Sequence, residues 1–149
     1  MANARISDVM ASVEQWLIDN WPDDSVTFVP SSSDGPRPNS FNQLPDVWAQ
    51  PQWISFEPEQ PVRPGEDWVT FDLRLICQAR VNDRLRVANV ADGLRDLIRS
   101  AVVEVVDRAD GSTSKGWVRF NEVGVTPPQK DQRDVVVAVV DVEGWAHTS

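Results

Sequence analysis

The sequence predicts an α+β domain: a mostly antiparallel sheet of four to five strands with two helices packed on one face, in the order α-β-β-β-α-β-β. Three observations carry that reading. Residues 69–79 alternate between an apolar face and a mainly polar one; from residue 82 the period becomes helical; and two long strand-like runs, GWVRFNEVGV and DVVVAVVDVEGW, close the chain. Strands joined by hairpin-length links beside two helices describe a sheet with its helices segregated to one side.

Taken in order, Val9, Met10, Val13, Trp16 and Leu17 share one helical stripe over residues 6–20, with Ser7 as N-cap and Trp21-Pro22 as stop. SVTFVP, residues 25–30, reads as a short strand. A Ser/Pro/Asn/Asp-rich stretch follows, predicting a loop over 31–50 of the kind that makes contacts. QWISFE, residues 52–57, is strand-like, and EPEQPVRPGED reads as a hairpin connection.

In the long strand, Val69, Phe71, Leu73, Leu75, Cys77 and Ala79 occupy one face. Trp68, Thr70, Asp72, Arg74, Ile76 and Gln78 occupy the other. Val87, Val90, Ala91, Leu94, Leu97 and Ile98 then mark a helix that Asn82 or Asp83 would cap. VVEVV, residues 102–106, fits either the end of that helix or a new strand, and DRADGSTSKG is turn-like. The last strand is apolar on both faces, which places it centrally, with TPPQKDQR as the link before it. There is no internal repeat or second-domain boundary, so residues 1–149 read as one domain.

The chain has 23 acidic and 14 basic residues, a formal net charge of -9. That balance argues against a sequence-independent grip on nucleic acid and against anionic lipid. No apolar run reaches membrane-spanning length, and the N-terminal stretch carries acids where a signal peptide would be apolar, so a soluble, cytosolic chain is expected. Cys77 is the single cysteine and, on an apolar strand face, reads as a small hydrophobe. His147 is the single histidine, close to the chain end, and reads as an exposed terminal residue. Asp8, Asp19, Asp23, Asp24 and Asp34 read as scattered acids without calcium-loop spacing, and no glycine-rich phosphate loop is present. We therefore expect no catalytic, cofactor-binding or metal-binding residues, no cofactor and no enzyme activity.

Seven tryptophans and no tyrosine are the distinctive feature of the composition. Trp16 reads as core, and Trp117 and Trp145 as core or sheet-face residues. Phe41, Trp48, Trp53 and Trp68 gather around the long loop and the hairpin, where they either anchor loops or make contacts. The candidate interface set is Phe41, Trp48, Arg63, Trp68, Asp72 and Arg74, with loop 31–50, hairpin 57–68 and turn 107–116 as contact segments. Base stacking is the weakest reading, because only Arg37 and Arg63 lie near these aromatics.

With the element order and the strand-to-helix unit in hand, the chain resembles the tail terminator (tail completion) proteins of long-tailed bacteriophages, of the lambda-like type. The densest part of the likeness is the long strand of residues 69–80 passing through NDRLRVANVADGLRDLIR, with Ala91, Asp92, Leu94 and Leu97 in the second helix. The resemblance implies a non-enzymatic virion protein of the tail and neck, assembled in the host cytoplasm. It implies a ring, usually of six copies, that caps the head-proximal end of the tail tube, stops polymerisation and joins the neck or head. The implied partners are other copies, the tube protein and a neck or head-completion protein, with no membrane. DNA passes through the lumen unrecognised, which an acidic wall suits. Two alternatives stand beside it. One is another connector or minor tail protein. The other, of a different class, is a small cytosolic enzyme or ligand-binding domain with a pocket lined by Trp48 and Trp53.

Overall fold

The computed structural model describes residues 6–22, 26–31, 47–59, 67–79, 84–130 and 135–148. The elements in chain order are α1 (Ile6–Asp19), β1 (Thr27–Phe28), β2 (Val47–Glu59), β3 (Asp67–Ala79), α2 (Arg84–Ile98), β4 (Val102–Val106), β5 (Ser114–Lys130) and β6 (Val136–Thr148). The fold is α+β as predicted, with one mixed sheet of six strands in the order β1-β2-β3-β6-β5-β4. β1 pairs in parallel with β2, and every other pairing is antiparallel.

The strand count exceeds the expected four to five because VVEVV is the strand β4, and β1 survives as only two residues. Three boundaries also move. β2 begins at Val47, so residues 47–50 belong to the sheet and not to the contact loop; the rest of that loop, 32–46, lies outside the described residues, as do Asn82 and Asp83. Ser7 lies inside α1, whose first residue is Ile6, so it is not the N-cap. β5 runs on to Lys130 and absorbs Pro127 and Pro128, which the sequence places in a link.

The prolines fit for a physical reason. β4 pairs only with residues 114–119 of β5, and β1 only with Trp48 and Ala49 of β2. Beyond those contacts β5 and β2 have no outer strand partner among the described residues. A proline on such an edge forfeits no ladder bond where its nitrogen points away from the inner partner, and Pro51, Pro58, Pro127 and Pro128 all lie in these stretches. A bulge between Thr126 and Gln129 absorbs the irregularity in β5. β6, by contrast, lies between β3 and β5, so its apolar double face is explained by central placement.

Both helices cover one face of the sheet. Phe71, Leu73, Leu75, Cys77 and Ala79 of β3 meet Ala138, Val140, Val142 and Ala146 of β6 in one buried cluster with Val9, Val13 and Leu17 of α1 and Val87, Val90, Ala91, Leu94 and Ile98 of α2. Each Val, Leu, Ile or Phe among them contributes about 1.5–3 kcal/mol when fully buried.

Part of the docking surface of α1 is polar. The Val106 N–H donates to Ser12 Oγ at 3.0 Å, and the Arg108 N–H donates to Asp8 Oδ1 at 2.9 Å. Asp8, read from the sequence as one of several scattered acids, is a buried acceptor that ties α1 to the turn after β4. These two bonds satisfy backbone donors at the end of β4 and in the turn after it that would otherwise need another partner or water.

Candidate functional site

Strand alternation sends every second side chain of the sheet to the face away from the helices. No helix or strand among the described residues packs on that face, and three zones follow one another along it.

At one end is an aromatic cluster. Trp68 of β3 sits across from His147 of β6, and His147 across from Trp117 of β5. The Trp68 ring lies 4.8 Å from Trp145 and 4.4 Å from His147, centroid to centroid. Trp117 stays 49% exposed beside them. His147 is thus a half-buried sheet residue in ring contact, which overturns its reading as a fraying terminal residue. The cause is that β6 extends to Thr148, so pairing on both sides immobilises the chain end.

The middle zone is charged. Asp72, Glu143 and Glu122 occupy directly opposed positions on β3, β6 and β5. In the neighbouring row Arg74 Nε donates to Asp141 Oδ1 at 2.9 Å. Ser55 Oγ donates to Asp72 Oδ2 at 3.1 Å. Asp72, Arg74, Glu122, Asp141 and Glu143 line an open groove of about 350 Å³ together with Ile54, which sits at the bulge between Trp53 and Ser55. Among the described residues, neither Glu122 nor Glu143 has an ion pair, so one cation-anion pair offsets only part of the acidic charge. Like charges directly opposed across strands are destabilising.

Towards the other end the face turns apolar and closes over. Ile76, Val137 and Val139 are half-buried, and Gln78 and Trp48 are buried. Trp48 is only 3% exposed, so little of its surface is open in this chain. Its indole N–H and that of Trp68 have no hydrogen-bond acceptor among the described residues.

Of the six candidate interface residues, Asp72 and Arg74 share the charged groove and Trp68 lies in the aromatic cluster. Phe41 and Arg63 lie outside the described residues. Sequence reasoning missed Glu122, Asp141, Glu143, Trp117, Trp145 and His147 as members of the same surface. Their period-2 spacing along β6, at 141, 143, 145 and 147, was the available signal; pairing with Asp72 and Arg74 depends on which strands are neighbours.

Among the described residues, Trp48 and Trp53 do not line a common pocket. The two indoles lie on opposite faces of β2, Trp53 against Phe56 at 5.3 Å and Phe71 at 5.5 Å on the helix side. Cys77 is buried on that side, and burial pushes its thiol up to about 12, away from any nucleophilic role at neutral pH. No group of His, Cys, Asp or Glu among the described residues is arranged to hold a metal ion. No described helix is long and apolar enough to cross a membrane. What the charged groove offers chemically is a shallow anionic surface with an apolar rim, suited to a basic protein partner. No known family model matches this chain, and neither does any curated protein.

Proposed function

We propose that this chain is a non-enzymatic assembly protein of the phage tail-terminator kind, forming a ring on the head-proximal end of a tail tube and joining it to the neck. The observation that supports the reading most is the two-sided sheet. One face is fully used by α1 and α2, and the other carries charged and aromatic side chains in open rows. Strand-borne side chains on a sheet pinned by long antiparallel ladders are rigid, so a contact made there costs little ordering entropy. The element order adds support, since a helix, a hairpin into a long strand, a second helix and closing strands are what the resemblance implies.

In this role the chain acts by geometry. Subunits present the same surface around a ring, tube growth stops where the ring offers no further tube-like face, and an acidic subunit leaves passing DNA unretained. The test is to add the purified chain to a polymerising preparation of its tail-tube protein and measure tube lengths by electron microscopy. Shortened tubes capped at one end by a ring with a central pore are expected. Tubes of unchanged length, with no ring on tubes or in the free protein, would sink the proposal.

A further inference from the structure

Leu85, at the start of α2, is the most exposed large apolar residue described, at 79%, and Arg84 beside it is exposed without an ion pair among the described residues. On the other side of the sheet lies the groove with the opposite character. Its rim is Ile54, 51% exposed, and its walls are Asp72, Glu122, Asp141 and Glu143, of which Asp141 alone is paired with a cation among the described residues.

We infer that the helix-free sheet face of one copy receives the Arg84–Leu85 corner of a second copy, Leu85 packing on Ile54 and Arg84 meeting Glu122 and Glu143. This rests on the self-assembly in the proposed function and names the surfaces that carry it. Two features of the isolated chain point to this occupant. The row Asp72–Glu143–Glu122 sets carboxylates directly opposite one another on three adjacent strands, an arrangement that a guanidinium from outside relieves. An exposed leucine flanked by an unpaired arginine is complementary in both polarity and charge to a groove with an apolar rim and surplus carboxylates.

Within one chain the sheet separates the two surfaces, because α2 packs on the opposite face. The contact is therefore between different patches of neighbouring copies, head to tail. Such contacts propagate, and they close into a ring when the rotation between copies permits.

The experiment uses the full chain and charge reversal on each side. One variant is Glu122→Arg with Glu143→Arg, the second Arg84→Glu and the third Leu85→Asp. All sites are on the surface, and circular dichroism checks that each variant is folded. Sedimentation velocity of the wild type should show self-association that weakens as salt rises. Each variant alone should associate roughly tenfold or more weakly. An equimolar mixture of the two charge-reversed proteins should recover association, since each restores the surface complementary to the other. Wild type and variants assembling alike would overturn this interface while leaving ring formation standing. Variants that weaken alone without recovery in the mixture would assign the two surfaces to different partners and also overturn it. A wild type that stays monomeric at every concentration and salt would overturn both this interface and unaided ring formation.

Discussion

Glu14 of α1 accepts the indole N–H of Trp53 of β2 at 2.9 Å, joining the first helix to a strand 39 residues away. The other carboxylate oxygen accepts the Ser31 N–H, so one buried side chain fixes both the helix and the chain after β1. Trp53 in turn stacks on Phe56 and tilts against Phe71, which carries the constraint into the core. Glu14→Ala leaves two part-buried donors without their acceptor and should cost about 3 kcal/mol, from charge-assisted bonds of about 1.5–3 kcal/mol each that partly rehydrate. Glu14→Gln, which keeps one good acceptor, should cost about half of that. Urea unfolding of the two variants checks both the loss and its order.

A second prediction concerns Gly144, opposite Phe71 on β3 and Phe120 on β5. A Cβ at this position would sit 2.5 Å from Phe71 Cζ and 2.9 Å from the Arg119 carbonyl oxygen. The glycine is there to let a phenylalanine ring lie flat across β6. Gly144→Ala should destabilise by about 1–3 kcal/mol through overpacking. In a Phe71→Leu background the same change should cost measurably less, because the ring that it strikes is gone. A double-mutant cycle by thermal or urea unfolding reads the coupling, and additive losses would contradict the contact.

The turn before β5 makes a pH prediction. The Thr113 hydroxyl and the Thr113 and Ser112 N–H groups donate to the Asp110 carboxylate, and the Thr113 contacts, the larger cause, hold it down to about 2 from 3.8. A carboxyl depressed in the folded state contributes stability that is fully present above about pH 4 and is lost as pH falls towards 2. Asp110→Asn should flatten that part of the stability profile, and Thr113→Val should move the Asp110 titration upward. Carbon-detected NMR titration of the side-chain carboxyl checks the direction. The group is fully exposed, so solvent screening keeps its effect on overall stability small.

Cys77 should be silent to thiol reagents in the native protein. Its sulfur is buried on the helix side of β3 and its thiol is raised to about 12, so at pH 8 both access and thiolate are lacking. Maleimide labelling should track global unfolding in denaturant. Labelling at native rates equal to those of an unfolded control would contradict the burial.

How much of this was legible in the sequence differs by element. The alternation of residues 69–79, the stripe from Val87 to Ile98 and the apolar last strand were read correctly, because side-chain period and burial are local consequences of backbone geometry. VVEVV was open because five apolar-rich residues satisfy a helix end or a strand equally; pairing with β5 decided it. His147 was misread because proximity to a chain end suggests fraying, whereas the flanking strands β3 and β5 hold it. The burial of Trp48 was not legible, because exposure depends on what packs around a residue, which no local pattern contains.

The sequence by itself determined which residues alternate, which repeat at helical spacing, that the net charge is acidic, and that the chain carries one cysteine and one histidine. Only the tertiary structure decided that Asp72, Glu143 and Glu122 share one row, that Trp68, Trp145 and His147 share one cluster, and that Glu14 reaches Trp53. The reason is strand order. β3 pairs with β6 at sequence separations of 57 or more, from Ala79↔Val136 to Asp67↔Thr148, and a period-2 pattern states which face a residue takes without stating its neighbour.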